Sequence, residues 1–149
     1  MYWYEKDRSL FQFEKDCYMQ FLREYNHPDC RIEFTYDKEN HFIVLVDIPF
    51  QMDKKEPWRM FKYMILYEHD HPGRDSTGNF GGSIKVYPFT QLKPGFHHLL
   101  TDSVRGLRYL CQVKSAKSSE VNGYKVLQRI LRFQVVYCTW EKTGVDVDK

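Results

Sequence analysis

The chain has 149 residues, 42% of them apolar and 17% aromatic, which suits one domain with one substantial core. Charged residues at 28%, with modest Pro and Gly, exclude bulk disorder. A net charge of +2, from 22 basic and 20 acidic residues, argues against a protein built mainly to bind nucleic acid.

Ser9 with Gln12 forms a capping-box pattern and predicts a helix opening near residue 9. Leu10, Phe13, Cys17 and Phe21 recur on one face, widened by Tyr18, Leu22 and Tyr25, while Glu14, Asp16, Arg23 and Glu24 fall elsewhere. The helix is expected to stop near Asn26, because His27 precedes Pro28. The period then becomes two. Ile32, Phe34 and Tyr36 alternate with polar neighbours, Asp37–Asn40 reads as a turn, and Phe42–Ile48 completes a hairpin. After a polar connection, Phe61, Tyr63, Ile65 and Tyr67 mark a third strand over about 60–67, and a glycine-rich loop from His69 to Gly82 follows. A short fourth strand, Ser83–Tyr87, ends at Pro88.

Residues 89–119 have no long regular period, yet Phe96, Leu99, Leu100, Leu107, Tyr109 and Leu110 predict an ordered, packed loop. A second long helix is expected from about Val121 to Trp140, with Tyr124, Leu127, Leu131, Val135 and Cys138 inward. Strands grouped together and helices at the two ends give an α+β class, read as one domain over 1–149.

Nothing at the N-terminus reads as a signal peptide, and the longest apolar runs, such as Phe42–Val46, are too short to span a bilayer. The four cysteines, Cys17, Cys30, Cys111 and Cys138, lie far apart without a Cys-x-x-Cys pair. They are expected to be reduced thiols in a cytoplasmic protein. Cys17 and Cys138 fall on helix stripes and are assigned to the core. Cys30, between a turn and a strand, is given no role.

Cys111 lies in the irregular stretch, after Tyr109-Leu110 and near Arg108, Lys114 and Lys117. Cations near a thiol favour the thiolate, and a cysteine on a loop held by a scaffold suits a nucleophile. The competing reading is a small packed hydrophobe. His97 and His98, fourteen and thirteen residues upstream, are candidates to polarise a carbonyl or orient a reacting group, or are simply core-edge histidines. Asp102 lies between them and the cysteine and is a candidate to orient either. His69 and His71, with Asp75, form a looser candidate metal cluster. Gly78–Gly82 lacks the Gly-Lys-Ser/Thr ending of a P-loop, and no Gly-x-Ser-x-Gly elbow occurs.

This order of helix, antiparallel strands, cysteine-bearing loop and helix resembles the ubiquitin-conjugating enzyme fold. Tyr87-Pro88-Phe89 stands about two dozen residues before Cys111, as a Tyr-Pro-Phe element does in that family. His97-His98, Gly106 and Tyr109-Leu110-Cys111 take the places of its His-Pro-Asn, glycine and apolar-apolar-Cys elements. The pattern is closer to divergent bacterial relatives in antiphage operons, including CBASS systems, which also end on a helix leading to Trp and Thr-Gly, as in Trp140–Gly144. The resemblance spans roughly residues 9–144. The Pro-Asn is absent here, with His97, His98 or Asn79 as stand-ins for its oxyanion support, and the step from Gly106 to Cys111 is longer than in eukaryotic members.

The resemblance implies a transferase. Cys111 would carry a protein C-terminus, in CBASS relatives that of a CD-NTase, as a thioester taken from an activating enzyme. An amine would then receive it, with Asp102 a candidate to assist that amine. It implies no cofactor, and the site as read holds no metal; the charge balance and the short apolar runs speak against nucleic-acid and membrane partners. The alternatives are a non-catalytic binding module of the same fold and a metal-dependent hydrolase using His69, His71 and Asp75.

Overall fold

Helix formation begins earlier than the capping pattern suggests. In the computed structural model, which describes residues 1–110 and 117–148, a short helix α1 (Trp3–Lys6) precedes the long α2 (Arg8–Tyr25). The α2 cap is Asp7, whose carboxylate accepts from the Leu10 amide at 3.0 Å. At the other end Asn26 adopts the left-handed conformation, where the expectation put the stop.

Four strands follow: β1 (Arg31–Tyr36), β2 (Phe42–Phe50), β3 (Arg59–Tyr67) and β4 (Ile84–Pro88). They pair in sequence order, each antiparallel to the next, with Phe34 opposite Val44, Val44 opposite Ile65 and Ile65 opposite Val86. Period-two patterning sorts the side chains. Val44, Val46, Ile48, Phe61, Tyr63, Ile65 and Tyr67 turn to one face, where α2 and α3 (Gly123–Thr143) pack. Ile43, Leu66 and Tyr87 form a small cluster on the other face.

Two expectations need correction. Residues 89–119 were expected to be irregular, yet they contain a hairpin of β5 (Leu99–Asp102) and β6 (Leu107–Leu110). Four-residue strands are too short to show a period, and their pairing supplies the order. Leu99 and Leu110 enter the helix-side core, while Tyr109 joins the opposite cluster.

The helix stripes also differ. Phe13 is half exposed, and Glu14 takes the inward position with no exposure at all. Burial of a carboxylate demands partners. Tyr67 donates its hydroxyl to Glu14, the Gly123 amide donates to the same oxygen at 2.8 Å, and Tyr18 donates to Tyr67 at 2.8 Å. This polar knot ties α2 to β3 and to the start of α3. Gly123 is required there because a Cβ would come within 2.5 Å of the Tyr18 ring. On α3 the inward residues are Val126, Leu127, Ile130, Phe133, Val136, Tyr137 and Cys138, and Tyr124, Leu131 and Val135 lie at the margin. No helix among the described residues is long and apolar enough to cross a membrane.

Candidate functional site

Cys111 itself lies outside the described residues. What leads to it is described in full. The β5–β6 hairpin ends at Leu110, which pairs with Leu99. In sequence, His98 precedes Leu99 and Cys111 follows Leu110.

A turn closes this hairpin over residues 103–106. Gly106 takes a φ of +68°, a left-handed conformation that a side chain disfavours, and its amide donates to the Asp102 carbonyl at 2.8 Å. The Asp102 carboxylate accepts from the amides of Val104 (3.0 Å) and Arg105 (3.2 Å), from the Tyr87 hydroxyl (2.7 Å) and from Arg105 Nη1 (3.3 Å). Arg105 reaches on to Glu68 at 3.2 Å. The hydrogen bond from Tyr87 is the largest influence on Asp102, and with the two amides it outweighs burial and draws the carboxyl down to about 2. Burial, and then the same bond, push the Tyr87 hydroxyl up. Tyr87 of the Tyr-Pro-Phe element thus anchors the hairpin to β4. Asp102 bonds to neither histidine, and so stable an anion accepts a proton poorly near neutral pH. The role the structure gives it is to hold the hairpin in place.

His97 and His98 sit in a turn immediately before β5. Their rings lie 4.5 Å apart, and both Nε2 atoms point at one oxygen, Asp146 Oδ2, at 2.7 and 2.9 Å. Asp146 reaches them because Gly144 caps α3 in a left-handed conformation (φ +76°), which redirects the chain. The Asp148 amide donates to the other carboxylate oxygen at 2.9 Å. Burial raises the Asp146 carboxyl, but the Asp148 amide and the two imidazoles outweigh it and hold it below its ordinary range. His98 rests its edge on Phe96, which is buried against Phe133, Tyr137 and Trp140. The sequence gives no spacing signal for Asp146, which stands 48 residues after His98 in an acidic tail.

The His69, His71 and Asp75 set does not converge. His71 is buried, with Nδ1 2.9 Å from the Ser83 hydroxyl and Nε2 3.8 Å from Glu14. His69 stacks on His41 with centroids 3.9 Å apart. Asp75 is spent on its own loop, accepting from the Thr77 hydroxyl (2.6 Å) and the amides of Thr77 and Asn79. Asn79, a stand-in for the missing family asparagine, uses its side-chain oxygen to accept from the Gly81 amide at 2.9 Å. Among the described residues, the one group of His, Cys, Asp and Glu whose ligand atoms all lie within 4.8 Å of one another is His97, His98 and Asp146.

Cys17, Cys30 and Cys138 are buried free thiols, as expected for the first and last from their helix positions. Burial pushes Cys17 and Cys30 up to about 11 and also raises Cys138. A buried thiol raised in this way is a poor nucleophile at neutral pH. Compared with protein-family models, curated proteins and solved structures, the chain matches none.

Proposed function

We propose that this chain is a ubiquitin-conjugating-enzyme-like transferase that carries a protein C-terminus as a thioester on Cys111 and passes it to an amine. The setting that fits the resemblance is bacterial antiphage defence, with a CD-NTase as the carried protein. One observation supports the reading most directly. Leu110, the residue before Cys111 in sequence, pairs with Leu99, the residue after His98, on a hairpin anchored through Tyr87 and Asp102.

The chemistry balances without a cofactor. The Cys111 thiolate attacks the thioester carbonyl on an activating-enzyme cysteine, a new carbon–sulfur bond forms, and the activating cysteine leaves as a thiolate. An amine then attacks the new thioester, the carbon–sulfur bond to Cys111 breaks, and the amine proton leaves to an acceptor or to water. His97 and His98, whose Nε2 atoms are held by Asp146, are the groups to polarise the carbonyl or orient the reacting group. Asp102 acts as a positioning residue.

Thiol mapping tests the reading. The native chain is treated with iodoacetamide at neutral pH and labelled positions are read by mass spectrometry. Rapid modification of Cys111, with the other three cysteines reacting only after unfolding, is expected. A Cys111 that reacts no faster than those buried thiols would leave the non-catalytic binding module as the better reading.

A further inference from the structure

We propose that His97, His98 and Asp146 form a binding site for one divalent transition-metal ion of the zinc class. This goes beyond the transfer reading, which uses no metal, and gives the His97, His98 and Asp146 side chains of that reading a second role.

Three ligand atoms already converge. The Nε2 atoms of His97 and His98 lie 2.7 and 2.9 Å from the same Asp146 oxygen, and the whole set lies within 4.8 Å. Side chains of consecutive residues on an extended chain point to opposite sides, so a turn at residues 97–98 is needed to bring both rings to one point. Asp146 is nearly buried, its side chain 6% exposed. Among the described residues its ion-pair partners are the two imidazoles alone, and the guanidinium of Arg132 is paired with Asp148 at 2.6 Å instead.

The outer contacts are those a metal site uses. The Asp148 amide fixes the second Asp146 oxygen, and Phe96 supports the His98 ring from the core side. His97, 58% exposed, leaves the other side open to solvent. Two imidazoles and one carboxylate suit zinc and its neighbours rather than calcium or magnesium, which prefer oxygen ligands. Three protein ligands leave a fourth position for water or an exchangeable group. Metal–ligand bonds of about 2.0–2.2 Å in tetrahedral geometry hold ligand atoms about 3.3 Å apart. The two imidazoles must draw back from the Asp146 oxygen by roughly 0.5–0.7 Å, and the exposed His97 turn is where the site can give.

A metal on both Nε2 atoms fixes the remaining protons on Nδ1. It also clamps the C-terminal tail to the turn before β5.

The test uses the full chain with Cys111→Ala, so that the thiol contributes no ligand and failure here leaves the transfer reading untouched. Zn2+ binding is measured by equilibrium dialysis with elemental analysis, and Co2+ loading by visible absorption. One ion per chain is expected, with a tetrahedral Co2+ spectrum. Affinity should fall about tenfold or more in both Asp146→Asn and His98→Gln, each checked for native circular dichroism. Zn2+ should raise the melting temperature of the Cys111→Ala chain and not of the two further variants. Absence of stoichiometric binding, or binding that both variants leave unchanged, overturns the proposal.

Discussion

Replacing Asp102 by Asn removes the charge that closes the β5–β6 turn and keeps its size. The carboxylate accepts from the Tyr87 hydroxyl, from two backbone amides and from Arg105, all within 3.3 Å. Carrying that carboxyl from 3.8 in the unfolded chain to about 2 in the folded one corresponds to about 2 kcal/mol. Its own hairpin covers the group to 8% exposure, but the cover is shallow, and screening by water trims the figure to about 1–2 kcal/mol. Because the folded value is the lower one, this stability is whole above about pH 4 and is lost as pH falls from there through about 2. Urea unfolding of wild type and Asp102→Asn at pH 7, repeated in steps toward pH 2, reads the effect. Amide exchange across residues 99–110 tells hairpin opening from global unfolding. The two proteins should differ at pH 7 and converge in acid. A gap below about 0.5 kcal/mol at pH 7, or one that persists unchanged at pH 2, would refute the role given to this carboxylate.

Other substitutions test the frame around the site. Gly123→Ala forces a methyl against the fully buried Tyr18 ring, and urea unfolding should show a loss of about 1–3 kcal/mol. Leu127→Ala, in the middle of the α3 contact with the sheet, should cost about 2–5 kcal/mol by the same measurement, and a loss under 1 kcal/mol would contradict its burial. Glu141→Gln breaks a two-pronged contact with Arg59, but both side chains are about one-third exposed, so the expected change is under about 1 kcal/mol.

Residues whose neighbours lie close in sequence were the readable ones. The alternation of Phe61, Tyr63, Ile65 and Tyr67 marks the inward face of β3 because side chains on a strand change sides at every step. The β1–β2 hairpin followed from the short turn Asp37–Asn40 between two patterned runs. Glu14 was not readable. A charge on a helix stripe normally faces water, and the groups that satisfy it, Tyr67 and Gly123, stand 53 and 109 residues away. Strands β5 and β6 escaped notice because their stability comes from Asp102 closing the turn and from Tyr87 on another strand. Asp146 was hidden for the same reason. Its pairing with His97 and His98 depends on where the Gly144 cap sends the chain, and no local pattern encodes that direction.

Acyl transfer through residue 111 is most directly examined by isolating the chain from cells that make it, without reductant, and analysing its intact mass. A heavier covalent species is predicted, discharged by dithiothreitol and by added amine, mapping to Cys111 and missing from Cys111→Ala. A chain that remains at its unmodified mass, or an adduct that survives in Cys111→Ala, would contradict it.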